Sequence, residues 1–211
     1  MAARRSVKTI VIDMFSPYIS LIKDVFPNAN IIIDKFHIVQ LLSRALNKTR
    51  IRIMNSRKER YNKLKKYWKL LLKDTSKLDY ITYRYHRSFK KPMREIDIVN
   101  YLIGLDSELK ETYEFYHNVK YAIEIRNNEL LTLLIESAND KVSNYMRTSI
   151  KTLKKFKDYI HNSLKYRYNN GVLEGLINKI KVIKRIAFGF RNFYHFRSRI
   201  LITQDLARLK A

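Results

Sequence analysis

The sequence contains no cysteine. That excludes disulfides, thiol nucleophiles, Cys-ligated zinc and iron–sulfur clusters. Glycine and proline are scarce, 4 and 3 among 211 residues, so the helices should be long and their connections short. No apolar run approaches the roughly 18 residues that span a bilayer. The run Thr9-Ile10-Val11-Ile12 is cut off by Asp13 and is too short for a signal-peptide core. The expected setting is therefore reducing and cytoplasmic. Acidic residues are also few: 19 Asp and Glu stand against 43 Lys and Arg, a formal net charge of +24. An excess of that size repels itself unless a polyanion neutralises it. It argues against a neutral enzyme of small apolar substrates. It favours nucleic acid as the partner, with an anionic membrane surface as the rival.

What is present reads as a globular chain, 46% hydrophobic and 29% charged, long enough to bury a core. Three zones emerge. In residues 1–45, Val7 to Ile12 and Asn30 to Ile33 are apolar β-branched runs, read as strands buried on both faces. Between them Ser16-Pro17 looks like an N-cap with proline at the first helical position. Ile19, Ile22, Val25 and Phe26 then share one helical face, and Pro27-Asn28 ends the helix. A β–α–β unit demands parallel strands and a right-handed crossover. It brings Asp13 and Asp34 to the carboxyl ends of neighbouring strands, the edge where open α/β sheets place their chemistry.

Residues 46–165 carry no clear strand signal and read as an all-α insertion. Lys48 to Lys73 is basic and amphipathic, with Ile51, Met54, Tyr61, Leu64, Trp68 and Leu71 or Leu72 as its stripe. Leu109 to Ile125, Leu130 to Ile135 and Val142 to Leu164 follow as helices, and Asp74 to Pro92 is the least helical part. In residues 166–211, Tyr168-Asn169-Asn170-Gly171 signals a turn. Val172 to Phe188 reads as a helix with Val172, Leu173, Leu176, Ile180 and Ile183 buried; Gly189 breaks it, and a last helix runs from about Asn192 to Leu209. The fold class expected is α+β, mostly α.

Three carboxylates stand out: Asp13, Asp34 and Glu174, the last in the first turn of an otherwise basic helix. Gathered at one site, carboxylates hold Mg²⁺ or Mn²⁺. Two such ions about 4 Å apart activate an attacking oxygen and stabilise the leaving oxygen of a phosphodiester. Lys179, Lys181, Lys184 and Arg185 follow Glu174 and are candidates for holding a DNA backbone. The plainer reading is that each carboxylate caps a helix or meets its dipole.

Two segments resemble the DDE transposases of the "ISL three" family of bacterial insertion sequences. The first is Val11-Ile12-Asp13-Met14-Phe15-Ser16-Pro17-Tyr18 with Phe26-Pro27-Asn28-Ala29-Asn30-Ile31-Ile32-Ile33-Asp34-Lys35-Phe36-His37-Ile38-Val39. The second is Asn170-Gly171-Val172-Leu173-Glu174-Gly175-Leu176-Ile177-Asn178-Lys179-Ile180-Lys181, continuing through Gly189-Phe190-Arg191-Asn192-Phe193 and Phe196-Arg197-Ser198-Arg199-Ile200. The resemblance implies an RNase H-like core interrupted by a helical insertion before its last catalytic helix. Three acidic residues bind the metal pair in that family. By position Asp13 is similar to the second Asp and Glu174 to the closing Glu, with Asp34 lining the site. The family's opening strands, which carry the first Asp, have no counterpart in the few residues before Val7. The expectation is a C-terminal portion of a transposase that does not join DNA strands by itself.

The remaining features each carry two readings. His37, three residues after Asp34, is either a site ligand or a helix-start histidine packed near Phe36. Phe188, Phe190, Phe193, Tyr194 and Phe196 either form core or stack on unpaired bases. Arg191, Arg197 and Arg199 beside them are candidates for phosphate contacts. The functions in contention are a nucleoid-associated transposase catalytic fragment, working on transposon ends and target DNA, and an inactive DNA-binding remnant. The remnant would interfere with an intact transposase by occupying its DNA or its oligomer contacts. A basic protein on anionic membranes is the third reading.

Overall fold

Strand β1 (Thr9–Ile12) and strand β2 (Asn30–Ile33) are short β-branched runs that pair in parallel, Ile10 opposite Ile31 and Ile12 opposite Ile33. The computed structural model describes residues 2–56, 58–138 and 140–204. A short helix α1 (Ala2–Arg5) precedes β1, and helix α2 (Ser16–Val25) makes the crossover. Phe15, rather than Ser16, holds the N-cap position, which puts Pro17 within the first turn. Ile22 is buried while Ile19, Val25 and Phe26 are half-buried, the face expected from their spacing. The two strands are not buried alike. Ile31, Ile32 and Ile33 are enclosed, whereas all of β1 stays half-exposed, because only β2 is covered from the far side. That cover is chemical as well as steric: Asn162 Nδ2 donates to the Ile31 carbonyl at 2.8 Å, and the Ser163 hydroxyl donates to the Ile33 carbonyl. Side chains thus close an edge that would otherwise invite pairing.

From β2 the chain enters helix α3 (Lys35–Ser56), the axis of the larger core. Its buried positions Ile38, Leu42, Ala45, Leu46, Ile53 and Met54 recur at helical spacing. Met54 holds its expected place in the stripe, but Ile51 faces outward and Ile53 takes the inner position. Helix α4 (Lys58–Lys66) and helix α5 (Trp68–Leu72) continue the basic stretch, burying Leu64 and Leu71. Arg50 is buried between α3 and α4; it donates to Asn47 Oδ1 at 2.9 Å and to the Leu64 carbonyl at 3.1 Å.

Helices α6 (Glu95–Ile103), α7 (Ser107–Glu124), α8 (Asn128–Glu136), α9 (Asn144–Lys155) and α10 (Lys157–Lys165) complete the bundle, with α3 packed on α4, α7 and α9. Caps fix their starts: Asp106 accepts from Glu108 N and Leu109 N, Asn127 from Leu130 N, and Ser143 from Met146 N. Each fully buried Leu or Ile in this core contributes roughly 1.5–3 kcal/mol, so truncating Leu46 or Leu102 to alanine would cost about 2–5 kcal/mol. The helix expected over Val142 to Leu164 is two helices, because the chain turns at the buried Phe156.

Residues 46–165 are not all-α. After a 3-10 turn (Thr75–Lys77), strand β3 (Arg84–His86) and strand β4 (Lys91–Met93) form an antiparallel hairpin, Tyr85 opposite Pro92. Only Met93 of these strands is buried, so no apolar alternation announces them, and Pro92 is tolerated because the ribbon is all edge. Lys90 takes the left-handed conformation that closes the turn, φ 53°.

The described residues from Asn169 onward form a second compact unit. Helix α11 (Gly171–Ile186) and helix α12 (Phe193–Thr203) lie antiparallel, with Lys179 Nζ donating to the Thr203 carbonyl at 3.4 Å. α11 ends at Ile186, where Phe188 takes the left-handed conformation (φ 51°) and Gly189 follows with φ 103°, donating to the Lys184 carbonyl at 3.2 Å; Asn192 caps α12 by accepting from Tyr194 N. The apolar stripe of α11 is not buried. Leu176, Ile180 and Ile183 are half-covered, whereas Val172 is 88% exposed; two helices alone cannot enclose both flanks of either one. Phe188 is fully exposed and Phe193 and Tyr194 are exposed, so they are not core; Phe190 and Phe196 pair at 4.9 Å. The expected end of the last helix near Leu209 lies outside the described residues. Among the described residues no helix is long and apolar enough to cross a membrane.

Candidate metal and DNA site

The parallel register decides where the first two carboxylates stand. Ile12 lies opposite Ile33, so Asp13 and Asp34 leave neighbouring strands side by side, and Asp34 N donates to the Ile12 carbonyl at 3.0 Å. Asp34 is 5% exposed. Its Oδ1 accepts from Phe36 N at 2.8 Å, and its carbonyl accepts from His37 N at 3.1 Å. It therefore caps α3, satisfying donors that the first turn leaves open. The same first turn of α3 carries His37 back over the end of β1.

His37 Nε2 lies 2.6 Å from Asp13 Oδ1, and its ring meets Phe36 edge-on at 5.6 Å. At that separation Nε2 must carry the proton and donate, since two lone pairs would repel. His37 thus packs by Phe36, as the helix-start reading expects, and its ring donates to the Asp13 carboxylate. Asp13 remains open to solvent, its side chain 54% exposed. Lys35, beside the cap, has its pKa lowered by burial and by Arg126, partly countered by Asp34.

Glu174 belongs to the second unit. It is exposed on α11, seven residues before Lys181 and eleven before Arg185, so the three share one stripe at helical period. That stripe lies opposite the side packed on α12. Lys184 is exposed on the neighbouring flank, and Arg191, Arg197 and Arg199 are exposed around α12. Lys179 differs from the others: its Nζ is turned onto Thr203 and Gln204. Asp13 and Glu174 are hard oxygen donors, suited in kind to Mg²⁺ or Mn²⁺. Among the described residues no three His, Asp or Glu side chains gather to hold a metal ion.

Sequence reasoning passed over a second basic region. Lys66 and Lys69 lie inside the Lys48–Lys73 run, but Arg84 and His86, which face them from β3, sit in a segment whose only signal is its density of tyrosines.

The family model described as Transposase, for the ISL three group of DDE enzymes, matches residues 1–200. The transposase for insertion sequence element IS1001 of Bordetella parapertussis is 28% identical over 206 residues, 92% of this chain and 47% of its own length. A protein of Lactococcus lactis subsp. lactis named ATP-dependent protease is 40% identical over 114 residues, 52% of this chain and 35% of its own. The chain spans half the length or less of these curated relatives. No solved structure gives a significant match.

Proposed function

The chain belongs to the ISL three family of DDE transposases, and from that premise we propose that it is part of a catalytic domain for DNA transposition of a bacterial insertion sequence. The reaction class is hydrolysis of a DNA phosphodiester followed by strand transfer, carried out in the cytoplasm at the nucleoid. The observation that carries this reading is the β1–α2–β2 unit, which sets Asp13 at the carboxyl edge of a parallel pair, solvent-open and steered by His37. In this reading the β–α–β unit and α11 are parts of an RNase H-like core, with the helices between them as the insertion.

Asp13 and Glu174 would hold the divalent ions, Mg²⁺ or Mn²⁺. When bound, such ions activate the attacking oxygen and stabilise the leaving one. The chain's own residues do the rest. Asp34 locks the start of α3, α3 presents His37, and His37 fixes the rotamer of Asp13. Lys181 and Arg185 flank Glu174 and offset phosphate charge, while Lys184, Arg191, Arg197 and Arg199 extend the basic surface along DNA. The net charge of +24 supports a nucleic-acid partner.

Mn²⁺ titrated into isotope-labelled protein tests the shared site. Its paramagnetism should broaden amide signals around Asp13 and around Glu174 together, and Asp13→Asn should abolish both effects. Broadening at one position only, or at neither, refutes a common metal site. Metal-dependent nicking of transposon-end DNA, lost in Asp13→Asn and Glu174→Gln with binding retained, would establish the chemistry. A second reading is a DNA-binding remnant that competes with intact transposase, for which the net charge of +24 is the support. It predicts salt-sensitive DNA binding with neither broadening nor nicking. Proteolysis and ATP hydrolysis, suggested by the name of the Lactococcus relative, find no support here: the four glycines form no phosphate-binding loop.

A further inference from the structure

Two cavities meet at Lys66, on the side of the bundle where α4 and α5 face the β3–β4 hairpin. One, about 270 Å³, has Tyr67, Leu70, Met93 and Ile98 as its apolar floor and Lys66, Lys69, Arg84 and His86 around its rim. The other, about 660 Å³, is more polar, lined by Asn62, Lys63, Lys65, Lys66 and Ser88. The alternation of β3 produces this facing. Thr82, Arg84 and His86 turn toward the helices, while Tyr83 and Tyr85 turn away.

Several contacts set the shape of this cleft. Tyr67 is buried, its hydroxyl 3.2 Å from His86 Nδ1 and its ring 5.4 Å from Phe89. Lys63 is held over the rings of Phe89 and Tyr101 and donates to the Tyr101 hydroxyl at 2.7 Å. Two carboxylates close one end, and both are engaged. Glu95 is paired with Lys73 and accepts from Asp79 N at 2.9 Å; Asp79 accepts from Ile81 N and Thr82 N. Among the described residues Lys65, Lys66 and Lys69 enter no ion pair and rest against the rings of Tyr61, Tyr67 and Trp68, Arg84 has only the electrostatic influence of Asp79, and all four residues are exposed.

We propose that this cleft binds single-stranded DNA, with phosphates on Lys65, Lys66, Lys69 and Arg84 and one unpaired base seated on the half-buried Leu70 beside Tyr67. The charge complementarity names a polyanion. The apolar floor selects the single strand, because a duplex keeps its base faces in the stack and offers mainly phosphates and groove edges. The smaller cavity suits one base rather than a larger ligand. The proposal rests on the preceding reading only for DNA as the partner, and it needs no metal ion.

Fluorescence anisotropy in EDTA tests it, with a labelled thymidine 20-mer, the same length of abasic phosphodiester, and a duplex. The triple variant Lys66→Ala/Lys69→Ala/Arg84→Ala should bind the thymidine strand at least tenfold more weakly and the duplex within threefold of wild type. Its slope of log affinity against log salt should flatten by about 2, for three lost contacts at roughly 0.7 each. Wild type should prefer the thymidine strand to the abasic one about fivefold, and the variant should lose that preference. Equal losses on single strand and duplex, or no loss, overturn the proposal; equal affinity for thymidine and abasic strands overturns the base seat. Loss of binding to phosphatidylserine vesicles with single-strand binding intact would assign the cleft to membranes and overturn it too. Circular dichroism melting of the variant confirms the fold. Failure of the Mn²⁺ test at Asp13 and Glu174 would leave these outcomes untouched, which separates the two readings.

Discussion

The imidazole of His37 places Nε2 2.6 Å from Oδ1 of Asp13, joining the first turn of α3 to the end of β1. The contact is local in space but crosses the whole β–α–β crossover in sequence. Nε2 should therefore be the protonated nitrogen in the neutral ring, with Nδ1 unprotonated. Long-range ¹H–¹⁵N spectra of the imidazole check this directly, and an Nε2 signal typical of an unprotonated nitrogen would remove the contact. His37→Ala should cost on the order of 0.5–1 kcal/mol of stability, since Asp13 is largely exposed.

Asp34 serves α3 before it serves any chemistry. Replacing it by alanine strips the cap from a buried helix start and should cost about 1–2 kcal/mol in urea unfolding. Asp34→Asn keeps the accepting oxygen and should recover most of that loss. If asparagine destabilises as much as alanine, the carboxylate charge rather than the cap is what matters there.

A buried polar chain ties three helices together. The hydroxyls of Thr49 and Ser143 lie 2.6 Å apart, Thr49 donates to the Ala45 carbonyl, Ser143 accepts from Met146 N, and Thr112 Oγ1 accepts from Ser143 N. Thr49, Thr112 and Ser143 have no exposed surface. Thr49→Val keeps the volume but leaves the Ala45 carbonyl with one acceptor site unfilled and Ser143 without its partner, a loss of roughly 1–3 kcal/mol. The double variant Thr49→Val/Ser143→Ala should cost less than the sum of the singles, and additivity would contradict a shared network.

Much of this architecture is readable from residue order. The β-branched runs before Asp13 and Asp34 reveal the parallel pair, but not that only Ile31–Ile33 are enclosed, because that depends on the cover β2 receives from α10. Gly189 and Asn192 mark the ends of the helices in the second unit to within a residue, although the left-handed turn itself begins at Phe188. The β3–β4 hairpin is hidden for the opposite reason. Its strands hold one buried residue, and its stability comes from Phe89 and Tyr67 packing across the bundle, which no local pattern encodes. The stripe of α11 misleads in the other direction: its period is helical, but burial requires a neighbour, and α12 covers only Leu176, Ile180 and Ile183. His37 is identifiable as a helix-start residue, whereas its grip on Asp13 follows only from the register of the sheet.

Asp74 links the end of α5 to α7 through Lys120, whose Nζ lies 3.1 Å from its carboxylate. That hydrogen bond, aided by Ser76, lowers the Asp74 pKa to about 2. The folded form therefore binds its proton less readily than the unfolded chain. The resulting stability is fully present above the unfolded value near 3.9 and is lost as pH falls through about 2. After solvent screening it amounts to on the order of 1 kcal/mol. Lys120→Met should be less stable than wild type by a constant amount above about pH 5, and the gap should narrow toward pH 2. A gap that does not change with pH would mean that Lys120 acts through packing.

His117 titrates in a different window for a different reason. It is enclosed by Tyr113 and Tyr116, at 4.2 and 4.8 Å between ring centroids, and Nε2 lies 3.0 Å from the Leu71 carbonyl. Burial lowers its pKa, and the Leu71 carbonyl only partly opposes that shift. The neutral ring donates through Nε2 and ties α7 to the end of α5. As pH drops below about 6.5 the unfolded chain takes up a proton that the folded ring resists. Stability contributed by the neutral ring is thus present above that pH and declines below it, until the folded ring is protonated as well. His117→Gln removes the titrating group while keeping a donor in reach of Leu71. Its stability should vary less than that of wild type as pH falls from about 7 into the acid range, the two curves converging from a wild-type advantage at neutral pH. Parallel curves across that range would show that the ring titrates alike in both states, and that its enclosure by the two tyrosines imposes no charge penalty.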